Sequence, residues 1–380
     1  MHRIRDLHIV PLEFPLAEPY GSARGLVSSR RAGLVLLQTE DGAEGIGEVW
    51  GPPAVTAAYL EQIKPLYVGR DVFAQRDAAQ RVLAQMYHSG IQNQLTALLG
   101  GIDIAAHDAM GKLLNIPVTD LIGGRLRERV PVYASGGYFT AAADQTTALS
   151  RQLEANVERG FGAFKIKIGR SPAEDEARAR VARRIIGDAP LLMLDTNGNY
   201  TEDGVLESMQ RTAPFGIHWY EEPLAPQDWA GYRSLAVRSP VRIATGEALY
   251  TVFDFRRLID GRLAAVVQPD LTLCGGFDAA RTIGVLCNVE HLRLSPHVWG
   301  AGVGLAAALH FLAALPSYPH ADHVPFPPLL EYDVGFNALR DEIFRQPIRY
   351  ENGMLQVPTG PGLGIELDLT KMKRFSARWG

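Results

Sequence analysis

Eight short apolar runs, with helical patterning between most neighbours, constrain this chain more than any other feature. They lie at Val130–Gly136, Ala163–Gly169, Pro190–Asn197, His218–Leu224, Arg242–Ala248, Ala264–Leu271, Leu292–Val298 and Phe326–Glu331. Two of the intervening stretches, Gln145–Arg159 and Glu174–Ile186, read as helices, the second rich in Ala, Arg and Glu. Strands alternating with helices imply a parallel sheet, and this number of them suits a closed α/β barrel better than an open sheet.

In such a barrel the active site sits at the C-terminal ends of the strands, so the residues closing each run carry the functional information. The second run, AFKIKIG, holds Lys165 and Lys167. Side chains two apart on a strand share a face. Two ammonium groups side by side repel, desolvation adds to the cost, and at least one lysine is expected to deprotonate more easily. The third run ends with Asp195 and Asn197, the fourth with Glu221 and Glu222, and the fifth with Glu247. The sixth ends with Gln268 and Asp270, the seventh with His297, and the eighth supplies Glu331. A single charge after a strand is commonly a solvated loop residue. An unbroken series of them on one rim is not.

Asp195, Glu221 and Glu247 stand on adjacent strands with no cysteine or histidine among them. That is a hard oxygen site, suited to Mg²⁺, with Mn²⁺ the alternative. Glu221 is taken as the ligand because its neighbour Glu222 is expected to face the other way. Lys167 falls on one side of this triad and His297 on the other. Asp270 is placed to hold the imidazole and raise its basicity. A metal between two bases suits removal of a proton α to a carboxylate, with the metal and Lys165 stabilising the enediolate.

Residues 1–50 read as a small antiparallel sheet, with strands at Ile4–Pro11, Ala32–Gln38 and Ala43–Trp50 around the turn Thr39–Gly42. Ala17–Arg30 reads as a polar loop that holds Tyr20, Arg24 and Arg30. From about residue 53 to 122 the pattern is helical. In Leu95–Leu114, Gly100 and Gly101 suit close helix packing, and Asp103 and Asp108 read as structural partners of nearby groups. The Gly/Pro-rich stretch after Tyr350 is too short for another βα unit and is expected to return to the N-terminal domain as a strand. Its GPGLG lacks the strand–helix context of a dinucleotide site. His320 and His323 read as loop residues. Cys274 and Cys287 read as packing residues, and with only two cysteines there is no disulfide framework. A 47% hydrophobic, 21% charged chain of net charge −4 gives no reason to expect nucleic acid or a membrane as partner. No apolar run approaches the roughly 18 residues of a membrane span. The N-terminus lacks the apolar core of a signal peptide, so the cytoplasm is expected.

The run ALLGGIDIAAHDAMGKLLNIPVTDLIGG, followed in order by KIK, DTN, EEP, GE, QPD and SPH, resembles the enolase superfamily, specifically its mandelate racemase subgroup. The resemblance covers essentially the whole chain. It implies a (β/α)7β TIM-like barrel over 126–354, an α+β capping domain over 1–125, and a segment 355–380 that completes the cap. It also implies Lys167 and the His297–Asp270 dyad as opposed bases, Asp195, Glu221 and Glu247 on the metal, and Glu331 bonding the substrate carboxylate. A homo-oligomer is implied too. SPHVWGAGVGLAAALHF and EYDVGFNALRDEIFRQP are similar to acid-sugar dehydratases and to lactone cycloisomerases of the galactarolactone type. The expected substrate is therefore an acid sugar that loses water to give a 3-deoxy-2-keto acid. Lactone ring-opening is the alternative, then racemisation or epimerisation. A non-catalytic sugar-acid binder is the other class, disfavoured because binding alone needs no pair of opposed bases. The family's specificity loop maps to Ala17–Arg30, which makes Tyr20 and Arg24 candidate substrate contacts beside Asn197 and Trp299.

Overall fold

The computed structural model describes residues 1–317, 324 and 326–376. His320 and His323 lie outside the described residues. Three long strands, β1 (Ile4–Ser22), β2 (Gly25–Thr39) and β3 (Glu44–Val49), form an antiparallel sheet. Helices Pro53–Tyr67, Gln75–Gln85 and Gln94–Leu114 follow. The third is buried almost throughout, because its small residues let other backbones approach. Gly45 and Gly47 on β3 face Gly101 and Ala105 of this helix, and a Cβ on either would collide with a helix carbonyl oxygen. Gly47→Ala is therefore expected to destabilise the protein by about 3 kcal/mol, since neither backbone can yield cheaply. Thermal unfolding followed by circular dichroism measures this, and an unchanged midpoint would show that helix and sheet separate freely.

Ala17–Arg30 is not a loop. It forms the outer half of the β1–β2 hairpin, paired as Tyr20↔Val27, Gly21↔Leu26 and Ser22↔Gly25 around a tight turn at Ala23–Arg24. Pro15 and Pro19 interrupt any strand pattern read from sequence, because proline cannot donate to a ladder. The structure absorbs them in a register shift between Pro15 and Tyr20. Beyond that shift the arm pairs with β5 (Phe139–Thr140) on the barrel rim.

The barrel strands are β4 (Arg129–Gly136), β6 (Ala163–Lys167), β7 (Leu191–Asp195), β8 (Ile217–Glu221), β9 (Ile243–Thr245), β10 (Val266–Val267), β11 (Arg293–Leu294) and β12 (Leu330–Asp333). From β4 to β11 neighbours pair in parallel in that order, and β12 pairs in parallel with β4. Between β11 and β12 the contact is a side-chain bond, Ser295 Oγ to Leu329 O at 2.7 Å. The eighth strand begins at Leu330 rather than at Phe326, because Pro327 and Pro328 have no N–H to offer a neighbour. Tyr133, Ala163, Met193, Trp219, Ala244 and Val266 fill the barrel interior, while Phe164, Ile166, Leu192, Leu194 and Tyr220 pack outward. Strand alternation thus sends Lys165, Lys167, Asp195 and Glu221 inward, above that apolar layer.

A hairpin of β13 (Tyr350–Glu351) and β14 (Met354–Gln356) pairs with β4. The chain then reaches the cap without forming the expected strand. Its glycines instead pack against the buried helix, where Asp108 Oδ1 accepts from Leu363 N–H at 2.7 Å. Asp108 Oδ2 also accepts from Ile46 N–H at 2.9 Å, and Asp103 Oδ2 from Phe277 N–H at 2.7 Å. Both aspartates are structural. Cys274 and Cys287 are buried and free. Among the described residues, no helix is long and apolar enough to cross a membrane.

Candidate active site

The inward faces of β7 and β8 and the turn after β9 bring Asp195, Glu221 and Glu247 together, with one carboxylate oxygen from each within 4.8 Å of the others. Asp195 and Glu221 are held from behind. Asn197 N–H donates to Asp195 Oδ1 at 2.8 Å. Trp219 Nε1–H and Gln268 Nε2–H donate to Glu221 Oε2 at 3.1 and 2.7 Å. Gly246, at φ 137°, ends β9 where a side chain would strike the Gln268 backbone, and the turn there presents Glu247. Glu247 Oε2 is buried with no hydrogen-bond partner. An orphaned carboxylate oxygen among three convergent carboxylates is the donor set of a hard divalent cation, and these residues fit one.

Asp270 and His297 form a pair on the opposite side from the lysines. Thr272 N–H and Oγ1–H donate to Asp270 Oδ1 at 2.8 and 2.6 Å, which leaves Oδ2 for His297 Nδ1 at 2.7 Å. Nδ1 therefore carries the proton toward Asp270 and Nε2 faces the site, 3.6 Å from Glu247 and 3.7 Å from Glu331. Glu331 accepts from Ser135 Oγ–H at 2.5 Å and Val298 N–H at 3.2 Å, and pairs with Lys165 at 2.7 Å. Lys165 Nζ also bonds Glu221, and Lys167 Nζ bonds Asp195.

The electrostatic environment of the lysines runs opposite to the sequence-based expectation. Burial does pull Lys165 and Lys167 down, but the facing carboxylates (Glu221 and Glu331 for Lys165, Asp195 for Lys167) outweigh both burial and mutual repulsion and raise them. His297 follows the same pattern. Burial lowers it, yet Glu247, Glu331 and Asp270 raise it to about 10. Burial also lifts Glu221 to about 8, Lys165 notwithstanding. Carboxylates crowded in a dry site are a charge arrangement that added positive charge would relieve.

The four candidate substrate contacts divide. Asn197 sits in the left-handed region (φ 48°), with its Oδ1 buried and unpartnered beside the triad. Arg24, at the hairpin tip, donates from Nη1 to Asn197 O at 3.1 Å and Gly198 O at 3.4 Å, so it docks the hairpin onto the turn after Asp195. Tyr20 is almost wholly buried. Its hydroxyl donates to Phe336 O at 3.1 Å and accepts from Arg30 at 3.3 Å, which makes it a packing link between hairpin and barrel. Trp299 is partly buried under the Arg30 guanidinium.

Sequence reasoning set Glu222 aside on the wrong ground. At φ 40° it leaves strand geometry, so alternation no longer applies. Burial and the adjacent Glu247, Asp195 and Glu221 carboxylates raise its pKa well above the ordinary value. Ser135, and the Gln268 bond to Glu221, were also missed. The signal for Ser135 was its place near the end of the first run, the one run without an acidic, basic or histidine residue.

The sequence matches two family descriptions. "Mandelate racemase / muconate lactonizing enzyme, N-terminal domain" covers residues 4–123, and "Enolase C-terminal domain-like" covers residues 148–371. A D-galactarolactone cycloisomerase of Agrobacterium fabrum is 33% identical over 96% of both chains. An arabinonate dehydratase of Saccharolobus solfataricus is 32% identical over 87% of both. The crystal structure of a racemase from Streptomyces coelicolor with bound magnesium superposes with a TM-score of 0.87, at 25% identity, covering 98% of this chain and 100% of the other.

Proposed function

This chain belongs to the mandelate racemase/muconate lactonizing enzyme family of the enolase superfamily and is an enzyme. From that premise we propose that it removes the proton α to the carboxylate of an acid sugar and expels the β-hydroxyl, giving a 3-deoxy-2-keto acid. The observation that carries this reading is the pair of opposed proton-transfer groups, Lys167 and His297, across the Asp195–Glu221–Glu247 triad.

In this reading Lys167 Nζ takes the α-proton and Lys165 Nζ bonds the enediolate oxygens that form. His297 Nε2 gives its proton to the departing β-oxygen, while Asp270 stabilises the imidazolium beforehand and fixes its tautomer. The C–O bond breaks as the enediolate collapses, and the enol product tautomerises to the keto acid. Glu331, braced by Ser135 and Val298 N–H, keeps Lys165 in place. A Mg²⁺ held by Asp195, Glu221 and Glu247 would supply the positive charge that stabilises the enediolate and lets Lys167 part with its proton.

A second reading is supported by the similarity to D-galactarolactone cycloisomerase over 96% of both chains. The same residues would expel a ring oxygen instead of a hydroxyl. Proton NMR in deuterated water, with Mg²⁺ and a panel of aldonic acids, aldaric acids and lactones, separates the two. A 3-deoxy methylene signal is expected from an open acid. The same signal from a lactone alone would replace dehydration by ring-opening, and α-proton exchange without elimination would replace both by racemisation.

A further inference from the structure

The residues that follow His297 have no regular secondary structure, and much of what holds them comes from the cap. Upstream, bonds to β10 and the residues just beyond it fix the segment. Ser295 N–H donates to Val267 O at 3.0 Å and His297 N–H to Pro269 O at 3.2 Å. Beyond Val298, two cap side chains take over. Arg30, on β2, donates from Nη2 to Trp299 O and, at 3.3 Å, to Gly300 O, with its guanidinium 3.8 Å from the Trp299 ring centroid. Glu48, on β3, accepts from Ala301 N–H at 2.5 Å and Gly304 N–H at 2.7 Å, one bond on each carboxylate oxygen. Asn337 adds a fifth bond, from Nδ2 to Gly300 O at 2.9 Å. A Cβ on Gly300 would collide with Glu48 Oε1, so the fit has no slack.

Arg30 and Glu48 are 3% and 1% exposed. Burying charge is costly, and two domains can be joined as firmly by apolar packing. Charge adds direction here. Of the groups a backbone offers, a guanidinium can bond only C=O and a carboxylate only N–H, so together they set the register of the Trp299–Gly304 backbone. Arg30 also pairs with Asp333 at 3.2 Å and bonds the Tyr20 hydroxyl, so the same side chain registers whether the hairpin is docked.

We infer that Arg30 and Glu48 are positioning residues for His297: by clamping the peptide just downstream of it from the cap, they set where its imidazole points, and proton transfer there depends on the docked cap. The inference rests on the reading of His297 as a proton-transfer group.

The test uses the full-length protein with Mg²⁺ and three variants. Glu48→Gln keeps the shape but has only one acceptor oxygen for two N–H donors. Arg30→Met removes the guanidinium, and Arg30→Lys keeps the charge with a different donor geometry. A displaced reacting group costs up to about 10²-fold in rate, so kcat is expected to fall by that order in Glu48→Gln and Arg30→Met, less in Arg30→Lys. KM and Mg²⁺ affinity should stay within about threefold. A second readout needs no turnover. The low-field NMR signal of the His297 Nδ1 proton, identified by its loss in His297→Asn, should shift or broaden in the same variants. Unchanged kcat in folded variants would overturn the inference, and so would a fall in kcat with this signal unmoved, which makes the two residues mere struts. If Arg30→Met does not fold, Glu48→Gln and Arg30→Lys decide on the same measurements. Absence of turnover in the parent enzyme on every acid sugar and lactone would count against the proposed reaction, while the His297 signal still judges the clamp.

Discussion

Lys167→Met is expected to lower kcat by about 10³-fold or more, the scale of a lost general base, while substrate affinity stays measurable. Methionine fills a similar volume with no proton acceptor, so the loss isolates the chemistry from the packing. Lys167 lies against Asp195 and beside Lys165, and its removal changes the local charge by one. Mg²⁺ affinity should therefore hold or tighten rather than collapse. That contrast separates a lost base from a damaged metal site. Binding measured by calorimetry alongside single-turnover kinetics gives both quantities, and a variant with undiminished turnover would remove Lys167 from the mechanism.

Chelation with EDTA is expected to abolish turnover, and added Mg²⁺ to restore it with a stoichiometry near one per chain. Glu247→Ala tests the site itself. The orphaned Oε2 makes Glu247 a side chain held by few protein bonds, so its loss should cost little fold stability. It should nonetheless weaken Mg²⁺ binding by about 10²-fold or more, because losing even a group that only supports a metal ligand costs up to that. Turnover that survives exhaustive chelation would overturn the metal reading. Chelation that also lowers the unfolding midpoint would show that the cation supports the fold as well, since a ligand that binds only the native state stabilises it.

Much of the site was legible because strand geometry is local and regular. Lys165 and Lys167 share a face because they are two apart, and the same rule places Asp195 and Glu221 inward above Met193 and Trp219. The barrel followed from the recurrence of apolar runs, and its known polarity supplied the rim. Where the local rule lapses, the reading fails. Glu222 turns at positive φ, and the prolines at 15 and 19 disguise a hairpin as a loop.

The remaining features depend on residues far apart in sequence. The carboxylates that raise the lysines were not foreseen because they lie on other strands, up to 166 residues away in the case of Lys165 and Glu331. Glu48 meets Ala301 across 253 residues and Arg30 meets Trp299 across 269. No periodicity encodes such meetings. The chain's own pattern determined the barrel, the order of the rim residues and the all-carboxylate character of the Asp195–Glu221–Glu247 triad, because side-chain direction along a strand is set by backbone covalent geometry. Only the tertiary structure decided which ammonium meets which carboxylate and which cap side chains grip the segment after His297, because burial and Coulomb energies depend on distances that exist only once the barrel has closed and the cap has docked.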